Sequence, residues 1–240
     1  MESLRLQITE GMRRFLDYPK FRGAPRILIL ETQYFFDNSW LRAAEKLGWQ
    51  VATVRSAMTG SILVDDIREL FTQLGEFKPD FILTSNFAGM DVAGMFENFF
   101  NDARIPYVSW FTDTPRMILF NRSVRVSDYM VAATWERAYT PHFHNRGFQH
   151  VHYMPLATDP ALFSGDPSTD CTRELAFVGV SMIELAEEAW EKVGQNPPLA
   201  EALREALDSG RINRETFVAG VESVLPESLW RSLDPSERRN

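Results

Sequence analysis

An α/β fold built on a parallel sheet is what this sequence predicts, and three observations carry that expectation. Short apolar runs alternate with amphipathic helical patterns from Arg26 to about Pro155. The first run, Arg26–Glu31 (RILILE), is continuously apolar and rich in Ile and Leu, as a strand covered on both faces must be. The alternation stops at residues 158–173, where Thr158-Asp159-Pro160 and the stretch Gly165 to Asp170 have loop chemistry. Alternating strands and helices imply right-handed crossovers and a Rossmann-like, doubly wound sheet with a helical C-terminal segment.

In chain order, residues 1–25 read as an N-terminal helix and arm. Strand one is followed by a helix over Asp37–Gly48, with Trp40, Leu41, Ala44 and Leu47 on one stripe and Gly48 as its stop. Gln50–Val54 is strand two, Leu63–Leu74 a helix, Asp80–Thr84 strand three and Val92–Asn101 the next helix. Pro106–Phe111 is strand four, and Pro115 opens a short helix, since proline suits a first helical turn. Tyr129–Ala133 is strand five, with Thr134 as a cap. Thr140-Pro141 starts a further helix that runs to Gly147, and His150–Met154 is strand six. Six strands suggest the order 3-2-1-4-5-6, although sequence alone does not fix it. Residues 26–157 are thus expected to form one domain and 158–173 a linker. Residues 174–240 are expected to begin a second domain: one strand, Glu174–Val178, then helices over Ile183–Val193, Leu199–Leu207 and Glu215–Val224.

Composition narrows the function. The 240 residues are 45% hydrophobic and 24% charged, with a mean hydropathy of -0.23, as in an ordinary soluble domain. A net charge of -8 argues against a nucleic-acid partner, which requires a positive footprint for phosphates. The charge is uneven: residues 1–26 hold six basic against three acidic residues, and 183–240 seven against twelve. A solvated face explains the basic start more simply than a membrane or subunit contact. Cys171 is the single cysteine, so no intrachain disulfide or cysteine zinc site is expected, and a reducing cytoplasm fits. No signal-peptide run or membrane-length apolar stretch is evident.

Ligands of open parallel sheets bind beyond the carboxyl ends of the strands, which selects the loops that matter. The loop from Glu31 to Asn38 contains no glycine, so the G-x-G-x-x-G dinucleotide fingerprint is absent, as is a P-loop; no cofactor is expected. After strand three, Ser85 and Asn86 offer polar groups, Gly89 permits a tight backbone, and Asp91 can cap the next helix; a capped turn without ligand fits equally. After strand four, Trp110 and Phe111 offer apolar faces to a sugar ring. Asp113, beside these aromatics, suits a general base acting on a hydroxyl. The alternative is that Asp113 or Thr114 only caps the helix that Pro115 opens. Thr112 and Thr134 lie on the same strand-end rim. Gly179 and Ser181 follow the second domain's first strand, where glycine admits a ligand and serine can cap a helix. His142, His144, His150 and His152 invite a metal reading. Helical positions i and i+2 diverge, however, and no acidic or cysteine cluster accompanies the histidines, so no metal is expected.

Three stretches together resemble the CgeB-like, spore-maturation group of glycosyltransferases, over roughly residues 26–182. They are SWFTDTP at 109–115, similar to the group's W-x-x-D-x-P; the run from Ser127 to Phe163; and ELAFVGVSM at 174–182, like the group's FVG opening of its second domain. The resemblance implies a two-domain GT-B enzyme that moves a sugar from a nucleotide sugar to an acceptor without a metal at the reacting centre. The N-terminal half would present the acceptor and the C-terminal half would grip the donor. Trp110, Asp113 and Pro115 match the first motif, and Gly179 the last. The candidate catalytic residue is Asp113. Glu31, Ser85, Asn86, Gly89, Trp110, Thr112, Thr134, Gly179 and Ser181 are candidate substrate contacts. Residues 183–240 lack a strand-plus-carboxylate pattern for the donor, so the expectation is a chain without most of the donor half. A noncatalytic Rossmann-like ligand- or protein-binding module is the alternative. Sugar, acceptor and homo-oligomerisation are left open.

Overall fold

The computed structural model describes residues 8–32, 35–55, 64–91, 94–119, 122, 124–160, 162–163, 183–213, 216 and 219–233. The chain divides into two compact units, Met1–Ala157 and Thr158–Asn240.

Unit one is an α/β fold on a six-stranded, all-parallel sheet. Its strands are β1 (Arg26–Glu31), β2 (Gln50–Arg55), β3 (Phe81–Ser85), β4 (Tyr107–Phe111), β5 (Met130–Thr134) and β6 (His150–Tyr153). The helices are α1 (Glu10–Leu16), α2 (Phe35–Lys46), α3 (Val64–Glu76), α4 (Met95–Asp102), α5 (Pro115–Ile118) and α6 (Thr140–Asn145), the last preceded by a 3-10 turn at Arg137–Tyr139. Thr134 ends β5 rather than starting a helix. Its hydroxyl is spent on the turn that follows, donating to the Glu136 carbonyl and accepting from the Glu136 amide at 3.3 and 3.4 Å.

Strand order is 2-1-3-4-5-6, which corrects the order 3-2-1-4-5-6. After β2 the chain crosses back over β1, so β1 pairs with β2 on one side and β3 on the other. Burial follows this placement. Central β1 holds Ile27, Leu28, Ile29 and Leu30 at 2% exposure or less, whereas Val54 is the one buried residue of edge strand β2. The polar residues Gln50, Thr53 and Arg55 are affordable only at an edge.

Helices cover both faces, as the aromatic contacts of β4 show. Side chains alternate across a strand. Trp110 meets Phe36 and Trp40 of α2, at centroid distances of 5.3 and 6.2 Å. Its neighbour Phe111 packs on Phe143 of α6 at 4.7 Å, and Tyr107 stacks on Phe100 of α4 at 6.0 Å. Only the β1-to-β2 connection runs leftward along the sheet. A right-handed crossover therefore puts α2 alone on its face and the later helices on the other. The second face is the fuller core: Phe87, Phe96, Phe99, Phe100, Phe111, Phe143 and Phe148 are all at 2% exposure or less. Asp80 bolts the N-terminal arm to the sheet. Its carboxylate accepts from the Phe21 and Arg26 amides at 2.7 and 2.8 Å and from the Arg26 guanidinium at 3.4 Å.

Unit two holds α7 (Ile183–Gly194) and α8 (Pro197–Asp208), which pack together, a 3-10 turn at Val221–Ser223 and a last helix, Glu227–Ser232. Leu199, Leu225 and Leu233 form its small core, with Val193, Leu203, Leu229 and Trp230 around them. Asn196 caps α8 by accepting from the Leu199 amide at 3.3 Å. Of the helix expected over Glu215–Val224, the described Thr216 and Ala219 are helical, with the Gly220 amide donating to the Thr216 carbonyl at 2.8 Å; Gly220, at φ +96° and so outside helical space, ends it, and a 3-10 turn follows at Val221–Ser223. The expected strand 174–178 lies outside the described residues.

Candidate functional site

The strand order sets where a ligand crevice opens. Crossovers leave β1 and β3 toward opposite faces, so the switch point lies between their carboxyl ends. Thr32, just past β1, and Ser85, the last residue of β3, face each other there with hydroxyl oxygens 3.5 Å apart. Both are buried. The Thr32 amide donates to Asp37 Oδ2 at 3.0 Å, which ties the β1 end to α2. Glu31, half-buried, closes β1 in register with Arg55.

The loop after β3 carries unusual backbone. Asn86 has φ +49°, Phe87 +60° and Gly89 +78°. Gly89 meets the sequence expectation of a glycine-permitted turn. Asn tolerates the left-handed region, but a bulky residue there is strained. Such strain costs about 1–3 kcal/mol and persists only where surrounding contacts over-determine it. Here they do. The Phe87 amide donates to Ser109 Oγ at 2.8 Å, and the Tyr107 hydroxyl donates to the Ala88 carbonyl at 2.8 Å. The Phe87 ring is fully buried against Tyr107 and Phe111. Asp91 closes the loop by accepting from the Met95 and Phe96 amides at 3.1 and 2.9 Å, the capping role its position suggested.

Asn86 links this loop to the one after β4. Its Oδ1 accepts from the Thr112 and Asp113 amides at 3.0 and 3.2 Å. Its Nδ2 donates to Thr112 Oγ1 at 3.2 Å and to Asp113 Oδ2 at 2.7 Å. Every hydrogen-bonding position of the amide is thereby used on one loop. Asp113 is exposed rather than enclosed by aromatics, and Oδ1 makes no hydrogen bond among the described residues. It does not cap α5. The N-cap is Thr114, which itself makes no side-chain cap bond. Trp110 and Phe111 are 7% and 0% exposed. Their rings serve the two faces of the core and present no open stacking surface, since both strand faces carry helices at this point. The Trp110 indole donates to the Met154 carbonyl at 3.1 Å. Ser85, Asn86, Gly89, Thr112 and Asp113 thus gather at one rim, Glu31 ends the adjacent strand, Thr134 is buried in its own turn, and Gly179 and Ser181 lie outside the described residues.

Two groups near this rim escaped sequence reasoning. Glu97, on α4, is 2% exposed and accepts from the Arg125 amide at 3.0 Å. Burial raises its pKa to about 7; the Arg125 amide opposes this, Asp91 adds to it and Arg122 opposes it. The sole sequence signal is a glutamate inside an otherwise aromatic helix, MFENFFND. The second is Thr32, whose pairing with Ser85 follows only from the strand order. The histidines separate: His144 Nδ1 bonds to the Phe148 carbonyl at 2.9 Å, and His150 and His152 are exposed on edge strand β6. Among the described residues no group of three or more His, Cys, Asp or Glu is placed to hold a metal ion, and no helix is long and apolar enough to cross a membrane. In comparisons with known proteins, no family model, no curated protein and no solved structure matches this chain.

Proposed function

We propose that unit one is the acceptor-side half of a GT-B-type glycosyltransferase and that Asp113 is its general base. The single observation that carries this reading is the state of the Asp113 carboxylate. One oxygen is fixed by Asn86 Nδ2 at 2.7 Å, and the other, at the carboxyl edge of a parallel sheet, is unengaged among the described residues. A base must be held in position and must keep a lone pair for the incoming proton. The sequence adds the SWFTDTP motif and its resemblance to the CgeB-like glycosyltransferases. In the reaction, the acceptor hydroxyl oxygen bonds to the anomeric carbon as the bond to the nucleotide diphosphate breaks. The diphosphate leaves with the electron pair, and the hydroxyl proton passes to Asp113 Oδ1. Strained backbone at Asn86 and Phe87 keeps the Asn86 amide aimed at the β4 loop.

The test is label transfer from UDP-, GDP- and TDP-sugars to a carbohydrate acceptor array by an enzyme in which unit one is joined to a donor-binding half. Transfer that is lost in Asp113→Asn, with the fold retained, supports the reading. Undiminished transfer in that variant removes Asp113 from the chemistry. No transfer and no release of nucleoside diphosphate with any donor leaves a noncatalytic binding module.

A further inference from the structure

The loop after β3 is anchored at both ends. At its start β4 holds it: the Asn86 amide donates to the Trp110 carbonyl at 3.0 Å, and the Ser109 and Tyr107 hydroxyls engage Phe87 and Ala88. At its end Asp91 ties it to the first turn of α4. Between these anchors Met90 is 1% exposed, and its carbonyl accepts from Arg122 Nη1 at 3.1 Å. Among the described residues that is the one bond this carbonyl makes. The same guanidinium stands over the buried Phe87 ring, 5.9 Å from its centroid. One side chain therefore spans from Met90 back to Phe87, at φ +60°, which directly follows Asn86, at φ +49°.

Arg122 comes from outside the loop, from the connection between α5 and β5, and that connection is itself pinned. The Arg125 amide donates to Glu97 Oε2 and the Arg125 guanidinium to Asn98 Oδ1, each at 3.0 Å. Both acceptors lie on α4, so the connection that presents Arg122 is tied to the helix that closes the loop. Arginine suits both contacts at once, because a planar guanidinium can donate to a carbonyl while attracted to an aromatic ring. Removing it would leave the Met90 carbonyl buried without a donor, which disfavours the present course of the loop. Strained backbone persists only where its surroundings over-determine it, and Arg122 is the contact to this loop that comes from neither β4 nor α4.

We infer that, with Asp113 the base proposed above, Arg122 is its positioning residue and acts through the strained pair Asn86 and Phe87. Arg122 hydrogen-bonds neither Asn86 nor Asp113 among the described residues. It holds Phe87 and Met90 in place, and the backbone they share with Asn86 keeps the Asn86 amide on Thr112 and Asp113.

The test is amide hydrogen exchange, read by NMR on the whole chain at a single pH, for the parent, Arg122→Met and Arg122→Lys. The Thr112 and Asp113 amides donate to Asn86 Oδ1 and so report where that side chain is aimed, while Leu28 and Ile29 in central β1 report global opening. Methionine keeps an apolar stem but has no donor. Arg122→Met should speed exchange at Thr112 and Asp113 about tenfold relative to Leu28 and Ile29, the worth of one charge-assisted hydrogen bond. Lysine keeps a donor for Met90 without the planar group over Phe87. Arg122→Lys should therefore give a smaller rise of about threefold, and it carries the test should Arg122→Met fail to fold. Unchanged exchange at Thr112 and Asp113, or an equal rise at Leu28 and Ile29, would overturn the inference. In an enzyme that joins unit one to a donor-binding half, kcat should fall in step with this exchange while KM for the donor stays the same, and a parent-like kcat in a variant with faster exchange would overturn it too. Exchange reports position whether or not Asp113 takes a proton, whereas sugar transfer by the parent and its loss in Asp113→Asn report the chemistry, so failure of one is distinguishable from failure of the other.

Discussion

Asn86 Nδ2 lies 2.7 Å from Asp113 Oδ2, and Asn86 Oδ1 accepts from the Asp113 amide at 3.2 Å, so one side chain grips both the backbone and the carboxylate of the residue beyond β4. Alanine at position 86 removes all four hydrogen bonds and places an ordinary L-residue at φ +49°. Asn86→Ala should destabilise unit one by about 2–3 kcal/mol, read from denaturant midpoints. Asn86→Gly loses the same bonds but fits the left-handed backbone, so its loss should be smaller. Equal losses in the two variants would show that the backbone at this position is unstrained.

Glu97 gives a pH dependence of definite sign. Its folded pKa of about 7 lies above the ordinary 4.5, so the folded state keeps a proton that the unfolded chain releases. The stabilisation from this group is complete below about 4.5 and is lost as the pH rises to about 7. The full difference is on the order of 3 kcal/mol. Glu97→Gln retains an acceptor for the Arg125 amide and cannot ionise. Its stability should be flat across that window and should exceed that of the parent at pH 8, measured by urea denaturation. A parent protein whose stability does not fall between pH 5 and pH 8 relative to Glu97→Gln would contradict this assignment.

The layered α/β fold was legible because it depends on local periodicity. RILILE reads as a two-face-buried strand, and Ile27 to Leu30 are buried on both faces. Strand order was not legible, since joining β3 to either side of β1 leaves the local pattern of each segment unchanged. The polar Gln50, Thr53 and Arg55 of β2 were the available hint of an edge. At the rim, Asp113 was found from its place after a buried strand. Its exposure was not, because the rings of Trp110 and Phe111 turn into the two faces of the core. The left-handed Phe87 was invisible to sequence rules that look for glycine at such positions. Tertiary bonds from Ser109 and Tyr107 are what hold it, and these join residues about twenty positions apart.

Asp80 has the opposite sign to Glu97. Burial pushes its carboxyl up, but the Phe21 and Arg26 amides and the Arg26 guanidinium outweigh burial and hold it below its ordinary 3.8. Its contribution is present above pH 3.8 and is lost as the pH falls through the lower folded value. Asp80→Ala leaves two amides and a half-buried guanidinium without their acceptor. About 3 kcal/mol of destabilisation is expected. Asp80→Asn should recover part of this, and both variants should unfold less steeply than the parent as acid is added. Thermal melts at pH 7 and pH 3 separate these outcomes. An acid transition in Asp80→Asn as steep as the parent's would show that other carboxylates govern it.

Asp113→Asn separates catalysis from structure at the proposed base. The Asn side chain can still accept from Asn86 Nδ2 through its own carbonyl oxygen, so the loop after β4 should keep its geometry. The side chain is exposed and does not cap α5, so little stability is at stake. Thermal midpoints of parent and Asp113→Asn should therefore nearly coincide, and Asp113→Ala should cost no more than about 1 kcal/mol, the usual worth of one hydrogen bond. Turnover is the discriminating readout. If the carboxylate takes the acceptor proton, Asp113→Asn in an active glycosyl-transfer assay should lower kcat by about two to four orders of magnitude, with KM for the donor little changed. Asn cannot accept the proton, whereas its shape and its bond to Asn86 are retained, so a loss of that size in a stable variant isolates the proton transfer. A kcat within a few-fold of the parent would instead leave Asp113 as one half of the Asn86 link, and the base would have to be sought among other side chains at the carboxyl edge of the sheet.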